Sequence, residues 1–109
     1  MSIASAFISF AYDSYRSGKN YALKGFEVYA FIDYGTAIKT IAWMYARGRE
    51  GAIEITRDED ELARRLHSDL MQAVDALARA TINPPGDLED QIYSYRDYLV
   101  EVLQNMFTE

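Results

Sequence analysis

The chain has 109 residues, half of them apolar and 26% charged, and its 17 acidic residues outnumber 11 basic ones to give a formal net charge of -6. This composition is typical of one soluble globular domain with a single hydrophobic core, which we expect over residues 1–109. No cysteine is present. Disulfide frameworks, thiolate metal sites and cysteine nucleophiles are therefore excluded.

Charged and aromatic residues are distributed unevenly along the chain. Residues 1–49 carry three acidic and six basic side chains, whereas residues 50–109 carry 14 acidic and five basic ones. Eleven of the 15 aromatic residues lie between Phe7 and Tyr45. The N-terminal half is thus aromatic and mildly basic and the C-terminal half is acidic, an asymmetry that bears on partners rather than on the fold.

The first predicted element is a helix over residues 2–17. Two apolar stripes at helical spacing run along it, one starting at Ile3 and the other at Ala4. Adjoining stripes indicate a wide buried face, so we expect the uncharged run 1–12 to pack into the core. Gly18 follows at the position where a left-handed C-terminal cap is expected.

Residues 20–34 fit two kinds of secondary structure. Asn20 is a suitable cap for a helix, yet the run 26–32 has the composition of a strand. The helix is favoured because both faces of a strand would be apolar and no βαβ partner is recognisable. A clearer helix follows over residues 36–47, and Gly35 either separates two helices or interrupts one long helix at a cost of about 1 kcal/mol.

A loop is expected next, since Gly48 and Gly51 interrupt the helical pattern. Residues 52–56 within it are interpreted either as loop or as a short extended segment, because Ile53 and Ile55 would face the same way. A lone strand would need a partner, and only the ambiguous run described above could supply one.

The two C-terminal elements have clearer boundaries. Thr56 and Glu59 form a capping box at the start of a helix over residues 57–81. Two prolines and a glycine in residues 83–86 end that helix, and Asp87 caps the last one. Apolar residues of the last helix recur at intervals of four and three: Leu88, Ile92, Tyr95, Leu99, Val102 and Met106. The sequence therefore predicts an all-α fold, a compact bundle of four to five helices with a C-terminal helical hairpin.

Motifs for catalysis or metal binding are not recognisable. His67 is the only histidine, and Ser68 diverges from it by about 100° on a helix, so the two do not form a nucleophile–base pair. A di-iron helix bundle needs glutamate three residues before the histidine, and this chain has Arg64 there. The acidic run 58–61 lacks the ligand spacing of a calcium-binding loop. We predict no catalytic residue, metal or cofactor. An enzyme would need convergent carboxylates with perturbed pKa values in a pocket.

The sequence disfavours binding to nucleic acid, association with a membrane and export from the cell. The basic residues are too sparse to form a phosphate-binding stripe, and the net charge repels phosphate. No apolar run approaches the roughly 20 residues of a membrane span, and bases that would hold an amphipathic helix on anionic lipid are few. No signal peptide is recognisable, so a cytoplasmic location is expected.

The acidic C-terminal half suggests instead that the chain occupies a basic groove of another protein. Carboxylates on helices steer association with basic partners, and tyrosine supplies contact area at little entropic cost. The predicted partner-binding residues lie on the last helix: Asp87, Glu89, Asp90, Tyr93, Asp97, Tyr98 and Glu101. Further exposed acids are expected on the helix before it: Asp58, Glu59, Asp69 and Asp75.

The function expected from these features is that of a small non-catalytic protein-binding module. It would act as an inhibitor or immunity-type protein that blocks a nucleic-acid-binding site on a basic partner. Phage-borne inhibitors of host defence, anti-CRISPR proteins among them, are similar in size and charge, which is a likeness of class only. The alternative is a structural or oligomerising subunit, in which the alanine- and leucine-rich helix 57–81 packs against its own copy as a homodimer.

Overall fold

The computed structural model describes residues 1–80, 94, 96–102 and 104–105, and regular secondary structure in these residues is entirely α-helical. Helix α1 spans Ile3–Leu23, α2 spans Glu27–Arg49 and α3 spans Arg57–Ala80. The described residues between 94 and 105 are also helical and are called α4. The predicted all-α bundle is confirmed for this part of the chain, whereas the predicted turn at 83–86 lies outside it.

Helix α1 continues six residues beyond its predicted end. Gly18 lies inside the helix, so the prediction that it caps α1 is wrong, as is a helix start at Asn20. The left-handed residue is Gly25, with a φ of 80°. Around it the amide of Phe26 donates to the carbonyl of Tyr21 at 2.9 Å, and the amide of Gly25 donates to Ala22 at 3.1 Å. This pair of hydrogen bonds is the Schellman motif, which reverses the chain into α2.

Helix α2 runs unbroken through Gly35, so neither a break there nor a strand over 26–32 is present. Gly35 is buried, and the helix around it places one face in the core: Ala30, Phe31, Tyr34, Ala37, Ile38, Ile41 and Met44. Burial of this face outweighs the cost of one glycine, about 1 kcal/mol, because most helical stability in proteins comes from packing.

Helix α2 ends, as α1 does, at a glycine with left-handed backbone conformation. Gly51 has a φ of 77°, and the amide of Ala52 donates to the carbonyl of Arg47 at 3.0 Å. Residues 52–56 are loop rather than strand, and Ile53 and Ile55 pack against the edge of the core. The extended interpretation of this segment is therefore wrong.

Helix α3 begins as predicted, because the capping box is formed. The amide of Thr56 donates to the Glu59 carboxylate at 2.9 Å, and the amide of Glu59 donates to Thr56 Oγ1 at 3.2 Å. Tyr45 near the end of α2 bonds Asp60 at the start of α3, so these helices are antiparallel. Ser5 and Glu59 join the starts of α1 and α3, which are therefore parallel.

The core lies between α3 and the antiparallel pair α1–α2. Its members from α3 share one helical face: Ala63, Leu66, Leu70, Val74, Leu77 and Ala78. Helix α4 contributes Leu99, which is fully buried, and Val102 packs beside it. Most leucines of α3 are therefore buried in the core of their own chain and are not available to pack against a second copy.

Candidate functional site

Three of the seven predicted partner-binding residues lie in the described part of the chain, all on α4. Asp97 and Glu101 are exposed, and Tyr98 is partly exposed with the Lys39 ammonium 5.3 Å from its ring centre. The other four lie outside the described residues: Asp87, Glu89, Asp90 and Tyr93. The structure therefore places carboxylates and a tyrosine ring on one accessible helical surface.

Arg96, the basic residue of this segment, is directed toward α3. Its Nη2 and Nε donate to the same oxygen of Asp75, at 2.6 and 3.2 Å. Both side chains are about two-thirds buried. Asp75 is therefore an internal partner of α4 rather than an exposed acid, which corrects the prediction for this residue. Nη1 of Arg96 also lies 3.4 Å from Asp97.

Glu59 is not part of an acidic surface either. It is 8% exposed, and its carboxylate accepts hydrogen bonds from the hydroxyls of Ser2 and Ser5, the latter at 2.6 Å. These two hydroxyls, and after them the Thr56 amide, lower the pKa of Glu59 from 4.5 to about 2. The prediction of an exposed Glu59 is wrong because the serines that cover it lie more than 50 residues away in the sequence.

The remaining surface of α3 is mixed rather than acidic. Asp58 and Asp69 are exposed as predicted. Arg64 Nε bonds Asp60 at 3.0 Å, the favourable order of an acid four residues before a base. Arg57 lies 3.5 Å from Glu61. The acidic character expected of the C-terminal half is therefore balanced on α3 by neighbouring arginines.

A tyrosine–carboxylate contact joins α2 to α3. Tyr45 Oη donates to Asp60 Oδ1 at 2.5 Å. Burial, and then this hydrogen bond, raise the pKa of Tyr45, and the same bond is the main reason that the pKa of Asp60 is lowered. Since both groups keep their ordinary protonation states at neutral pH, the contact supports the fold rather than proton transfer.

His67 is half-buried on α3. Burial and then the nearby Arg64 lower the pKa of its imidazole. Among residues 1–80 and the described part of α4, no group of three or more histidine and carboxylate side chains is placed to hold a metal ion.

A surface that sequence reasoning missed lies on the side of α1–α2 away from α3. We call it the outer face, and its exposed large side chains are Ile3, Phe10, Tyr21, Tyr29, Ile32 and Trp43. The expectation that the run 1–12 packs wholly into the core is wrong here, since Ile3 is 61% and Phe10 58% exposed. In this run Ala4 and Ala11 are buried, and Phe7 and Ile8 are partly buried against the core.

Aromatic clusters occupy the two ends of the outer face. Near the start of α1, the rings of Phe7 and Trp43 meet edge to face, 6.2 Å apart. Near the α1–α2 turn, Tyr21 lies 5.5 Å from Tyr29 and 6.4 Å from Phe26. Large exposed apolar patches on a folded domain mark interaction surfaces.

The sequence signal for the outer face is the pattern of α2. Tyr29, Ile32 and Trp43 recur at helical spacing, with Thr36 and Thr40 between the last two. They lie on the side opposite the core stripe that contains Tyr34 and Ile38. A helix with apolar residues on two opposite faces is buried on both in a larger assembly or exposes one of them.

Two clefts also follow the seam between the parallel helices α1 and α3. One, of about 410 Å³, is lined by residues that include Tyr12, Leu62 and Asp69. The other, of about 440 Å³, lies further along the same helices and includes Lys19 and Asp69. Both are shallow and open to solvent, and their polar side chains do not converge on one point, as those of an active site do.

Comparison with known proteins gives no relative: the chain matches no protein-family model, no curated protein and no solved structure. In the described part of the chain, no helix combines the length and hydropathy needed to cross a lipid bilayer.

Proposed function

We propose that the chain is a non-catalytic protein-binding module that blocks a basic, nucleic-acid-binding surface of a partner, as inhibitor and immunity-type proteins do. Phage anti-defence proteins, including anti-CRISPR proteins, are the class whose size and charge it shares. The proposed binding surface is the acidic segment 87–101, which contains five acidic residues and one basic residue.

The observation that carries the proposal is the opposite orientation of charges on α4. Asp97 and Glu101 face solvent, whereas the guanidinium of Arg96 turns toward Asp75. The helix therefore presents its carboxylates outward, while its arginine holds it on α3 and reaches Asp97 with the remaining nitrogen, 3.4 Å away. Such a surface attracts a basic partner at long range and raises the association rate.

Tyr98 adds contact area between the two carboxylates. Its ring is partly exposed and is flanked by Asp97 on the same helix. Tyrosine is enriched at protein interfaces because its ring supplies a large rigid surface with few rotatable bonds. The Lys39 ammonium already lies 5.3 Å from the centre of this ring, and cations of a basic partner can pack on its exposed part in the same way.

The experiment is affinity capture from the native host with immobilised wild-type protein and a variant that carries Asp97→Lys and Glu101→Lys. Both residues are exposed, so the fold is expected to survive the change. We expect a nucleic-acid-binding protein to be captured by wild type, to be lost on the reversal variant and to be displaced by added nucleic acid.

A matched control carries Asp58→Lys and Glu61→Lys, which reverse two exposed charges on α3. It is expected to keep the partner, because these acids lie outside the acidic segment 87–101. A partner that binds the reversal variant as well as wild type, or that nucleic acid does not displace, would refute the proposal.

The alternative function is that of an oligomerising subunit. The observation in its favour is the exposed outer face, and not the face of α3 on which the prediction was based. The α3 face on which it was based is largely used in the protein's own core. Among the described residues, the outer face of α1–α2 exposes six large apolar side chains, whereas α3 exposes one, Leu62.

A further inference from the structure

We propose that the outer face is a self-association surface, on which two copies of this chain pack as a symmetric dimer. The inference goes beyond partner binding by the acidic segment 87–101 and does not depend on it. It commits to a second copy because three properties of the face fit self-packing: its position, its low content of charged residues and its area.

The position of the outer face makes it accessible to another molecule. On α2, Ile32 and Trp43 project to the side opposite Ile38 and Ile41, which are fully buried. Helix α3 packs on that opposite side. The outer face therefore has no covering element among the described residues, and a second copy can approach it without disturbing the core.

Few charges oppose the packing of two identical faces. The exposed carboxylate of Asp13 lies at the rim, three residues after Phe10 and four before Ser17 on α1. Between the aromatic ends of the outer face lie Ser17, Asp33 and Thr36. Asp33 is half-buried, and its carboxylate accepts a hydrogen bond from Ser17 Oγ at 2.5 Å. At one end the Arg47 guanidinium lies 5.6 Å from the Trp43 ring and is paired with Glu50 at 3.0 Å. In a symmetric dimer the same surface of both copies is buried, and residues near the two-fold axis meet their own counterparts, so uncompensated like charges there would oppose packing.

This charge distribution also favours a second copy over a strongly charged partner. Interfaces of electrostatically steered complexes carry complementary charge, whereas the centres of homodimer interfaces are apolar and poor in charged residues. The outer face has the second composition: its six exposed large side chains are one tryptophan, one phenylalanine, two tyrosines and two isoleucines.

The area of the outer face is sufficient for a dimer. Its six large side chains are between 37% and 61% exposed. Since an aromatic side chain offers about 150–250 Å² and isoleucine is at the lower end of this range, these four aromatic and two isoleucine side chains present on the order of 600 Å². A stable interface of standard size buries about 800 Å² per partner, including the atoms around the apolar centre. The large apolar side chains of the outer face alone therefore supply about three-quarters of one protomer's share, and the polar side chains between them would have to supply the rest.

The test begins with analytical ultracentrifugation of the full chain over a wide concentration range. We expect a reversible equilibrium between the 12.5 kDa protomer and a species of twice that mass. Added salt should leave the dimer unchanged or strengthen it, because each copy carries a net charge of -6 that is then screened. Binding of a basic partner should respond to salt in the opposite direction, so failure of either proposal is separable from failure of the other.

A matched pair of variants locates the interface. Ile32 on the outer face and Leu62 on α3 are both 51% exposed. Ile32→Glu is expected to weaken the dimer at least about tenfold, as loss of an interface hot spot does. Leu62→Glu is expected to leave it unchanged. Circular dichroism of both variants checks that the helices remain.

Trp43 provides a second readout, because it is the only tryptophan and lies on the outer face. Its emission should shift to the blue as the protein concentration rises, and the shift should persist in Leu62→Glu and disappear in Ile32→Glu. A monomer at all concentrations would overturn the proposal. So would a dimer that Leu62→Glu disrupts and Ile32→Glu does not.

Discussion

Gly18 of α1 lies directly against the ring of Tyr34 of α2. A Cβ atom on Gly18 would lie 2.6 Å from Tyr34 Cε1 and 3.2 Å from the carbonyl oxygen of Ala30. Gly18 continues a buried line of small residues at seven-residue spacing that begins with Ala4 and Ala11. The absence of a side chain at this point is what lets α1 and α2 pack closely.

Gly18→Ala should therefore destabilise the protein although alanine is the better helix former. Tyr34 is a buried ring and cannot move aside easily, so the free energy of unfolding should fall by about 1–3 kcal/mol. At Gly48 an added Cβ meets the flexible end of Ile55, so Gly48→Ala should be neutral or stabilise by up to about 1 kcal/mol. Urea unfolding of both variants measures the difference, and equal effects would contradict this account of Gly18.

Glu59→Gln should remove a pH-dependent part of the stability. The folded-state pKa of Glu59, about 2, is below its ordinary value of 4.5. The ionised carboxylate therefore stabilises the fold fully above pH 4.5, and this stabilisation is lost as the pH falls toward 2. The free energies of unfolding of wild type and Glu59→Gln, measured from neutral to acid pH, should converge at low pH. Asp58→Asn, at an exposed carboxylate, is the control for the loss of one negative charge. A difference in the free energy of unfolding between wild type and Glu59→Gln that stays constant at all pH values would refute the role of Glu59.

Tyr45→Phe should reduce the free energy of unfolding by about 1–2 kcal/mol, since it removes a hydrogen bond to a carboxylate. The pKa of Asp60 should rise toward its ordinary value of 3.8, because the Tyr45 hydroxyl is the main cause of its lowering. NMR titration of Asp60 measures this change. Tyr12→Phe, at an exposed tyrosine of α1, serves as the control, with an expected change below about 0.5 kcal/mol. An unchanged Asp60 pKa in Tyr45→Phe would contradict the hydrogen bond.

Leu99→Ala tests whether α4 belongs to the same core as α1–α3. Leu99 is fully buried, so the truncation should cost about 2–4 kcal/mol through lost contacts and a cavity. Leu62→Ala, at a half-exposed leucine, should cost much less. Urea unfolding gives both values, and a cost at Leu99 no greater than that at Leu62 would show that α4 is not packed as described.

Local signals in the sequence predicted α3 well and the α1–α2 boundaries poorly. The capping box of Thr56 and Glu59 needs only residues three apart, so it can be read directly from the sequence. Gly18 and Gly35 have the local character of helix ends, yet both are buried within helices. Which glycine ends a helix is decided by tertiary contacts, and Gly25 does so here.

The candidate surfaces also include features that could be predicted from the sequence and features that could not. Exposure of Asp97 and Glu101 could be predicted, because both lie off the apolar stripe of the last helix. Burial of Glu59 could not be predicted, since it depends on serines more than 50 residues earlier in the chain. The outer face was also hidden, because apolar residues such as Trp43 are indistinguishable from core residues until the fold shows which side is covered.

The proposed function is tested most directly by the salt dependence of binding to the captured partner. We expect the affinity of wild type to fall steeply as salt rises, because charges on the acidic segment 87–101 are screened. The variant with Asp97→Lys and Glu101→Lys should bind weakly at every salt concentration, and the variant with Asp58→Lys and Glu61→Lys should follow wild type. An affinity that is insensitive to salt and unchanged by reversal of Asp97 and Glu101 would contradict the proposal.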